Sequence, residues 1–495
     1  MRKKLLVTVI AATITGLGGC SDSSDSSDTP AAIDTNPNTE FLATLAVPAT
    51  YNFESRFVAG EESAQYSGQV ARQVLIADLN TEIGSKLEAR IADGTWTSDT
   101  TKADVLAVLN SYFVEGTNAV GDNPILLTTT PPTLQTTYNE ISSDKNLVDK
   151  LAGNDSATDH KDWDAGAFEG WTAASPQALV ESWFDIIATN TAAQAGGAVR
   201  IHPVTGETLK VYHTDDGLDL QQLVQKFLLG AVTFSQGTDD YFDDATEGKG
   251  LLTDNTVADG DKPYTELQHQ YDEGFGYFGA ARDYLAYTDE EIAGKAGREG
   301  FSEGYHDTNG DNAIDLNGEF NFGNSTNAAK RDLGSQSGTD FTKTAMQALL
   351  TGRTIIARAG DDGDGALTEV EMAVLKEQRD IAVSAWEKAI AATVVHYIND
   401  VLTDMDKADA NDGSYSYAAH TKHWAELKGF ALGLQFNPRS PLNNGTRFKA
   451  VHDLLGERPA LPGGADFAAY RDALMAARAL MQEAYGFSQA DVENW

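Results

Sequence analysis

Cysteine is nearly absent: Cys20 is the only one in 495 residues. One thiol excludes any intrachain disulfide framework, and if Cys20 is modified it also excludes a cysteine nucleophile. Basic residues are scarce as well, with 36 Lys and Arg against 74 Asp and Glu, a formal net charge of −38. A surface of that sign repels nucleic acid and anionic lipid faces, suits a saline exterior and attracts cations. Beyond the first 20 residues no run is long and apolar enough to span a bilayer. Strand signals are weak, with Leu209 to His213 as one candidate hairpin arm. Also missing are a Gly-x-Ser-x-Gly elbow, a His-Glu-x-x-His helix and a phosphate-binding Gly-rich loop. The adjacent acids Asp272 and Glu273 do not replace them, because neighbours on a helix point about 100° apart. No reaction can be written from these residues, and enzymatic activity is not the expected reading.

The N-terminus has a secretion pattern: Arg2, Lys3 and Lys4, then an apolar run from Leu5 to Thr15. It closes on Leu17-Gly18-Gly19-Cys20, which resembles a bacterial lipobox. The expectation is a signal peptide over 1–20 with Cys20 lipidated, anchoring a chain that has no spanning helix. Ser21, rather than Asp, after the cysteine resembles lipoproteins of the outer membrane, facing periplasm or exterior. Loss of the leader takes three basic residues and leaves a net charge of −41. Ser, Asp and Pro dominate the following stretch, so 21–45 is expected to be a disordered tether. Residues 46–495 form the body, large enough for a substantial core.

Helical periodicity dominates that body. Leu220, Leu223, Val224, Phe227, Leu228, Ala231 and Val232 repeat at three- and four-residue steps. Thr101 to Phe113, Thr265 to Tyr287, Phe341 to Arg358, Tyr417 to Gln435 and Phe467 to Tyr485 read alike. Glu369 to Asp404 lacks Gly and Pro, which predicts one helix of about ten turns. The fold class is all-α, a long-helix bundle or bundles. Tyr271-x-Glu273-x-x-Gly276-Tyr277 echoes Trp424-x-Glu426-x-x-Gly429-Phe430, which points to two related half-bundles over 46–290 and 291–495.

Asp307, Asn309, Asp311 and Asp315 stand at positions 1, 3, 5 and 9 of an EF-hand calcium loop, with Ile314 at position 8. Asn312 replaces the usual Gly at position 6, a place where Asn tolerates the left-handed conformation. The closing carboxylate, Glu319, comes one residue late. A bare acidic turn is the competing reading. A second loop, 360–371, offers Asp362, Asp364 and Glu371 but has Gly360 at position 1, and Thr368 with Glu371 also fits a helix-capping box. EF-hand loops commonly work in pairs, so the two are expected together. Glu266, His269 and Glu273 share a helical face, as do His420, His423 and Glu426. If those helices converge, they supply an iron or zinc site of bundle type; otherwise they are ordinary polar faces.

Nine stretches carry a family resemblance: Tyr51 to Glu54, Ser67 to Arg72, Gly217 to Ala231, Glu266 to Gly279, Asp307 to Phe322, Ala328 to Leu333, His396 to Asp400, His423 to Pro438, and Asn494-Trp495. The chain resembles the bacterial lipoproteins grouped as a domain of unknown function, number 4856, and more distantly the imelysin-like proteins. That resemblance implies a helical envelope protein in the company of iron acquisition, with a metal-uptake receptor or a sister lipoprotein as partner. The imelysin Gly-x-His-x-x-Glu motif does not transfer, because Gly304-Tyr-His306-Asp-Thr-Asn309 ends in Asn. Two functions follow: a lipid-anchored binding or accessory protein with calcium loops, or a metal-dependent hydrolase built on the His/Glu clusters.

Overall fold

A computed structural model describes residues 37–154, 167–202, 206–443 and 446–495. The leader, Cys20 and most of the expected tether lie outside these. Where the tether was expected to run on to residue 45, α1 (Pro37–Leu42) is helical, and Phe41, Leu42 and Leu45 pack against the core. Three apolar side chains in an otherwise polar stretch are enough to dock it.

The helices that organise the body are α2 (Ser67–Thr81), α3 (Lys102–Phe113), α4 (Pro176–Ala195), α5 (Leu220–Leu228), α6 (Glu266–Phe278), α7 (Gly323–Gly334), α8 (Phe341–Asp362), α9 (Glu369–Ala410), α10 (Tyr417–Gly433), α11 (Arg447–Leu455) and α12 (Phe467–Tyr485). Local sequence sets their starts. Thr101 with Asp104, Thr265 with Gln268, and Thr368 with Glu371 form capping boxes, each satisfying amides that a first turn leaves unpaired. Gly279, at φ 78°, ends α6 well before Tyr287, because a left-handed residue cannot continue the helix. The α9 helix spans 42 residues and packs against α1, α7, α8, α10 and α12. At about 1.5 Å per residue it is roughly 60 Å long and forms the axis of the bundle.

Among the described residues there is no strand, only isolated bridges. The expected hairpin arm at Leu209 to His213 forms no strand: Leu209 N–H donates to Arg200 O at 2.9 Å beside an isolated Ile201–Thr208 bridge, and the chain then turns, with His213 N–H donating to Lys210 O at 3.0 Å. The apolar core is one cluster holding Tyr51, Phe227, Trp386 and Trp495 together, so residue 290 is no break in it. The internal echo appears in the packing instead. A Cβ on Gly276 would meet Tyr66 and Gln69 Cβ atoms of the α2 region at 2.8 and 2.9 Å; one on Gly429 would meet Lys226 Cβ of α5 at 2.6 Å. Each motif glycine lets its helix lie close on a different partner.

After α5 the chain widens into π-helix over Leu229–Phe234 and Gln236–Tyr241. There Gly230 meets Gly433 of α10 backbone to backbone: a Cβ on Gly230 would lie 2.6 Å from Gly433 Cα. No rotamer relieves a backbone clash. Gly230→Ala is therefore expected to destabilise the protein by about 1–3 kcal/mol, visible as a lower Tm, with Gly433→Ala close to it. A Tm unchanged in both would contradict this packing.

Candidate functional site

The 307–319 segment is an acidic turn held together by its own side-chain-to-amide hydrogen bonds. Asp307 Oδ1 accepts the amides of Gly310 (2.7 Å) and Asp311 (3.2 Å), and Oδ2 that of Asn312 (2.8 Å). Asn312 stands at φ 67°, the conformation that position 6 requires. Glu319 is buried and turns back into the loop: Oε1 accepts from Thr308 N (2.8 Å) and Oε2 from Asp315 N (2.8 Å). Asn309 Oδ1 accepts from Asp311 N at 2.8 Å. Asp315 Oδ1 accepts from Gln135 Nε2 at 2.8 Å.

The surroundings differ from an EF-hand. Residues leading into the loop form a turn, a Tyr305–Phe320 bridge closes its base, and α7 starts only at Gly323. Ile314 is fully buried and pairs with 132–134: its N–H donates to Pro132 O at 2.9 Å and its carbonyl accepts from Leu134 N at 2.8 Å. The pairing expected with a second loop is thus made with another segment. The second loop itself does not form as expected. Gly360, Asp361 and Asp362 belong to α8, and Glu371 Oε2 is occupied by Thr368 N and Oγ1, both at 2.8 Å. Asp364 accepts from Ala366 N at 3.1 Å in a local turn. Helix propagation and capping outcompete ligand geometry there. Among the described residues no group of three or more His, Cys, Asp or Glu side chains is placed to hold a metal ion.

Beside the first loop lies a cavity of about 500 Å³ lined by Glu62, Arg282, Asp283, Asp315, Asn317 and Glu319, among others. Asp283 Oδ1 and Asn317 Oδ1 are buried there without a donor. Burial pushes the Asp283 carboxyl up to about 6, and the Glu319 charge adds to the rise. These two oxygens are what the packing leaves unmatched beside the loop.

The two His/Glu clusters do not meet. Glu266 sits in the exposed first turn of α6. His269 Nδ1 lies 3.1 Å from Gln65 O, its ring stacks on Tyr264, and Glu273 accepts from Gln69 Nε2 at 2.7 Å. On α10, His420 is fully buried against Tyr415 OH, and Glu426 lies 3.7 Å from Lys226 of α5. The glycine contacts explain the separation: α6 is held to α2 and α10 to α5. Among the described residues the two clusters are therefore not brought into one pocket.

His423 joins a cluster that sequence reasoning missed. Its Nδ1 lies 2.6 Å from Asp404 Oδ2, and its Nε2 lies 4.0 Å from Asp400 Oδ2, which is 3.3 Å from His396 Nε2. The signal was available, since His396 and Asp400 are four apart on the long helix, one turn before Asp404. Also missed was a cleft along α9. A cavity of about 500 Å³ holds Glu387, whose buried carboxylate accepts from Ser440 Oγ (2.5 Å), Tyr485 OH (2.7 Å) and Asn437. A neighbouring groove of about 700 Å³ shares Asp380, Ser384 and Lys388 with it. Glu387 accepts three hydrogen bonds, which suits a tie between packed segments more than a reactive group.

The family model described as a domain of unknown function (DUF4856) matches residues 143–291, from before α4 through α6. No curated protein and no solved structure matches the chain. No described helix is long and apolar enough to cross a membrane.

The histidines should titrate far apart. Burial lowers His423, but its hydrogen bond to Asp404 and the charges of Asp404 and Asp400 outweigh this and raise it above 6.5. Burial takes His396 down to about 3 and His420 to about 4. The stabilising His423–Asp404 contact is therefore full below pH ~6.5 and lost as pH rises through the raised value. In an NMR titration His423 should show the highest midpoint of the three, and Asp404→Asn should lower it. A His423 midpoint below 6.5 in the parent protein would contradict the assignment.

Proposed function

We propose that the chain is a lipid-anchored binding or accessory protein of the bacterial envelope, whose helical body is braced by calcium at the 307–319 loop. The observation that carries the calcium reading is the loop itself. Asp307 gathers three successive amides, Asn312 takes the left-handed conformation, and unpartnered oxygens of Asp283 and Asn317 lie in the adjoining cavity. Because Ile314 is paired with 132–134, an ion here would tie the loop to a distant segment, which is a structural role. The net charge of −38 adds long-range attraction for cations.

The anchor rests on Leu17-Gly18-Gly19-Cys20, with the outer membrane as destination. A binding role is supported by the ligand-sized cleft along α9 and by the absence of any recognised catalytic motif. Partnership with a metal-uptake receptor or a sister lipoprotein, and iron or zinc as cargo, rest on the imelysin-like resemblance. The hydrolase alternative needed the α6 and α10 clusters in one pocket, and no observation favours it.

Calcium titrated into chelator-stripped protein is expected to raise Tm progressively, by the equivalent of about 2.7 kcal/mol at a hundredfold excess over Kd. Asp307→Ala combined with Asp311→Ala should abolish the rise. An equal rise in that variant, or none in the parent protein, would overturn the calcium reading.

A further inference from the structure

The two cavities along α9, of about 500 and 700 Å³, share Asp380, Ser384 and Lys388, which stand four residues apart on one helical face. Phe341, Ala373, Ile381 and Ala385 border the second, and Ile381 is 37% exposed, a large apolar side chain turned to solvent. From Ala373 to Lys388 this groove follows α9 for about 22 Å. The first cavity carries donors that the protein leaves unused. Lys388, half-buried, has neither hydrogen bond nor ion pair of 4 Å or less among the described residues. Of the Arg439 guanidinium nitrogens only Nη2 makes a hydrogen bond, to Thr238 O, and Nε is buried without one. The nearby acids are committed. Asp380 Oδ1 accepts from Arg379 Nε at 2.7 Å and is 3.9 Å from Arg439 Nε. Asp244 lies 3.1 Å from Arg379, 3.2 Å from Lys376 and 3.8 Å from Arg439. Two carboxylates thus serve three cations and leave Lys388 over. Glu387 is taken by Ser440, Tyr485 and Asn437, while Asp340, paired with Lys343, and Glu377 border only the second cavity.

We propose that this cleft binds an amphipathic acid, with its carboxylate on Lys388 and Arg439 and its apolar chain along Ile381, Ala385 and Phe341. A carboxylate accepts charge-assisted hydrogen bonds from the cations that lack them, and the Ser384 hydroxyl lines both cavities as a further donor. The apolar chain covers Ile381, and its burial supplies most of the affinity. A cationic head would leave Lys388 unpaired and face its charge, so the head sets the preference and the chain the strength. This names the ligand class for the binding role proposed above and rests on that reading; it does not depend on calcium at the 307–319 loop.

The test titrates decanoate, decyltrimethylammonium and acetate into the full chain by calorimetry, at matched ionic strength and below micelle formation. The expected result is saturable binding of decanoate, at least tenfold tighter than decyltrimethylammonium, with no heat from acetate. Lys388→Met should weaken decanoate about tenfold and remove that preference. Ile381→Asp should weaken both chains. Neither position is buried, so both variants are expected to melt like the parent protein when no ligand is present. If decyltrimethylammonium binds as well as decanoate and Ile381→Asp abolishes both, the acid class is overturned while the cleft stands as a binding site. If neither chain binds, or binding is untouched by both substitutions, the proposal falls together with the support that the cleft lends to a binding role.

Discussion

The ion pair between Asp272 and Arg353 is fully buried, and much of the body is arranged around it. Arg353 of α8 donates to both oxygens of Asp272 on α6, at 2.7 and 3.4 Å, and to Ser63 Oγ at 2.9 Å. Tyr51 OH and the Gln65 amide donate to the same carboxylate, at 2.9 and 3.3 Å. Burial raises Asp272, while the guanidinium and the Tyr51 hydroxyl work in the other direction. Removing one partner strands the other without solvent, so the group behaves as a unit. It fixes α6 against α8 and against the 50–66 segment. The end of α6 then places the acidic loop: Gly279 O accepts from Phe322 N at 2.7 Å, and Gly318 O accepts from Arg282 N at 2.7 Å.

What could be read from the sequence divides along physical lines. Long helices were legible because their apolar period, capping residues and stop signals are local: α12 has the predicted bounds, and α9 overruns its prediction only at the C-terminal end. The conformation of Asn312 was legible because the backbone demand and the residue's tolerance both sit at one position. Pairings were not. That Ile314 would bond to 132–134 instead of the 360–371 loop depends on tertiary packing between segments 180 residues apart. The second loop misled because Glu371 satisfies calcium spacing and capping equally well, and the helix needed the cap. The His/Glu clusters misled in a related way. Gly276 and Gly429 are visible in the motif, but which helix each one approaches is a property of the fold.

Charge organises the two ends of α7 in opposite senses. It begins immediately after the acidic loop, beside the unpartnered oxygens of Asp283 and Asn317, and it carries Lys330 and Arg331 near its far end. Residues 143–291, which the family model matches, contribute Arg282 and Asp283 to the surroundings of the acidic loop. The Lys330-Arg331 pair is plain in the sequence, but that Arg331 Nε is buried without a hydrogen-bond partner is visible only once the neighbours are placed.

The claim on which the functional account turns is that calcium braces the 305–321 loop against 129–135. Amide hydrogen exchange with and without calcium tests it directly. The account predicts added protection in both segments, centred on Ile314 and Leu134, with little change in α9 or α12. Protection confined to other segments, or none, would contradict it.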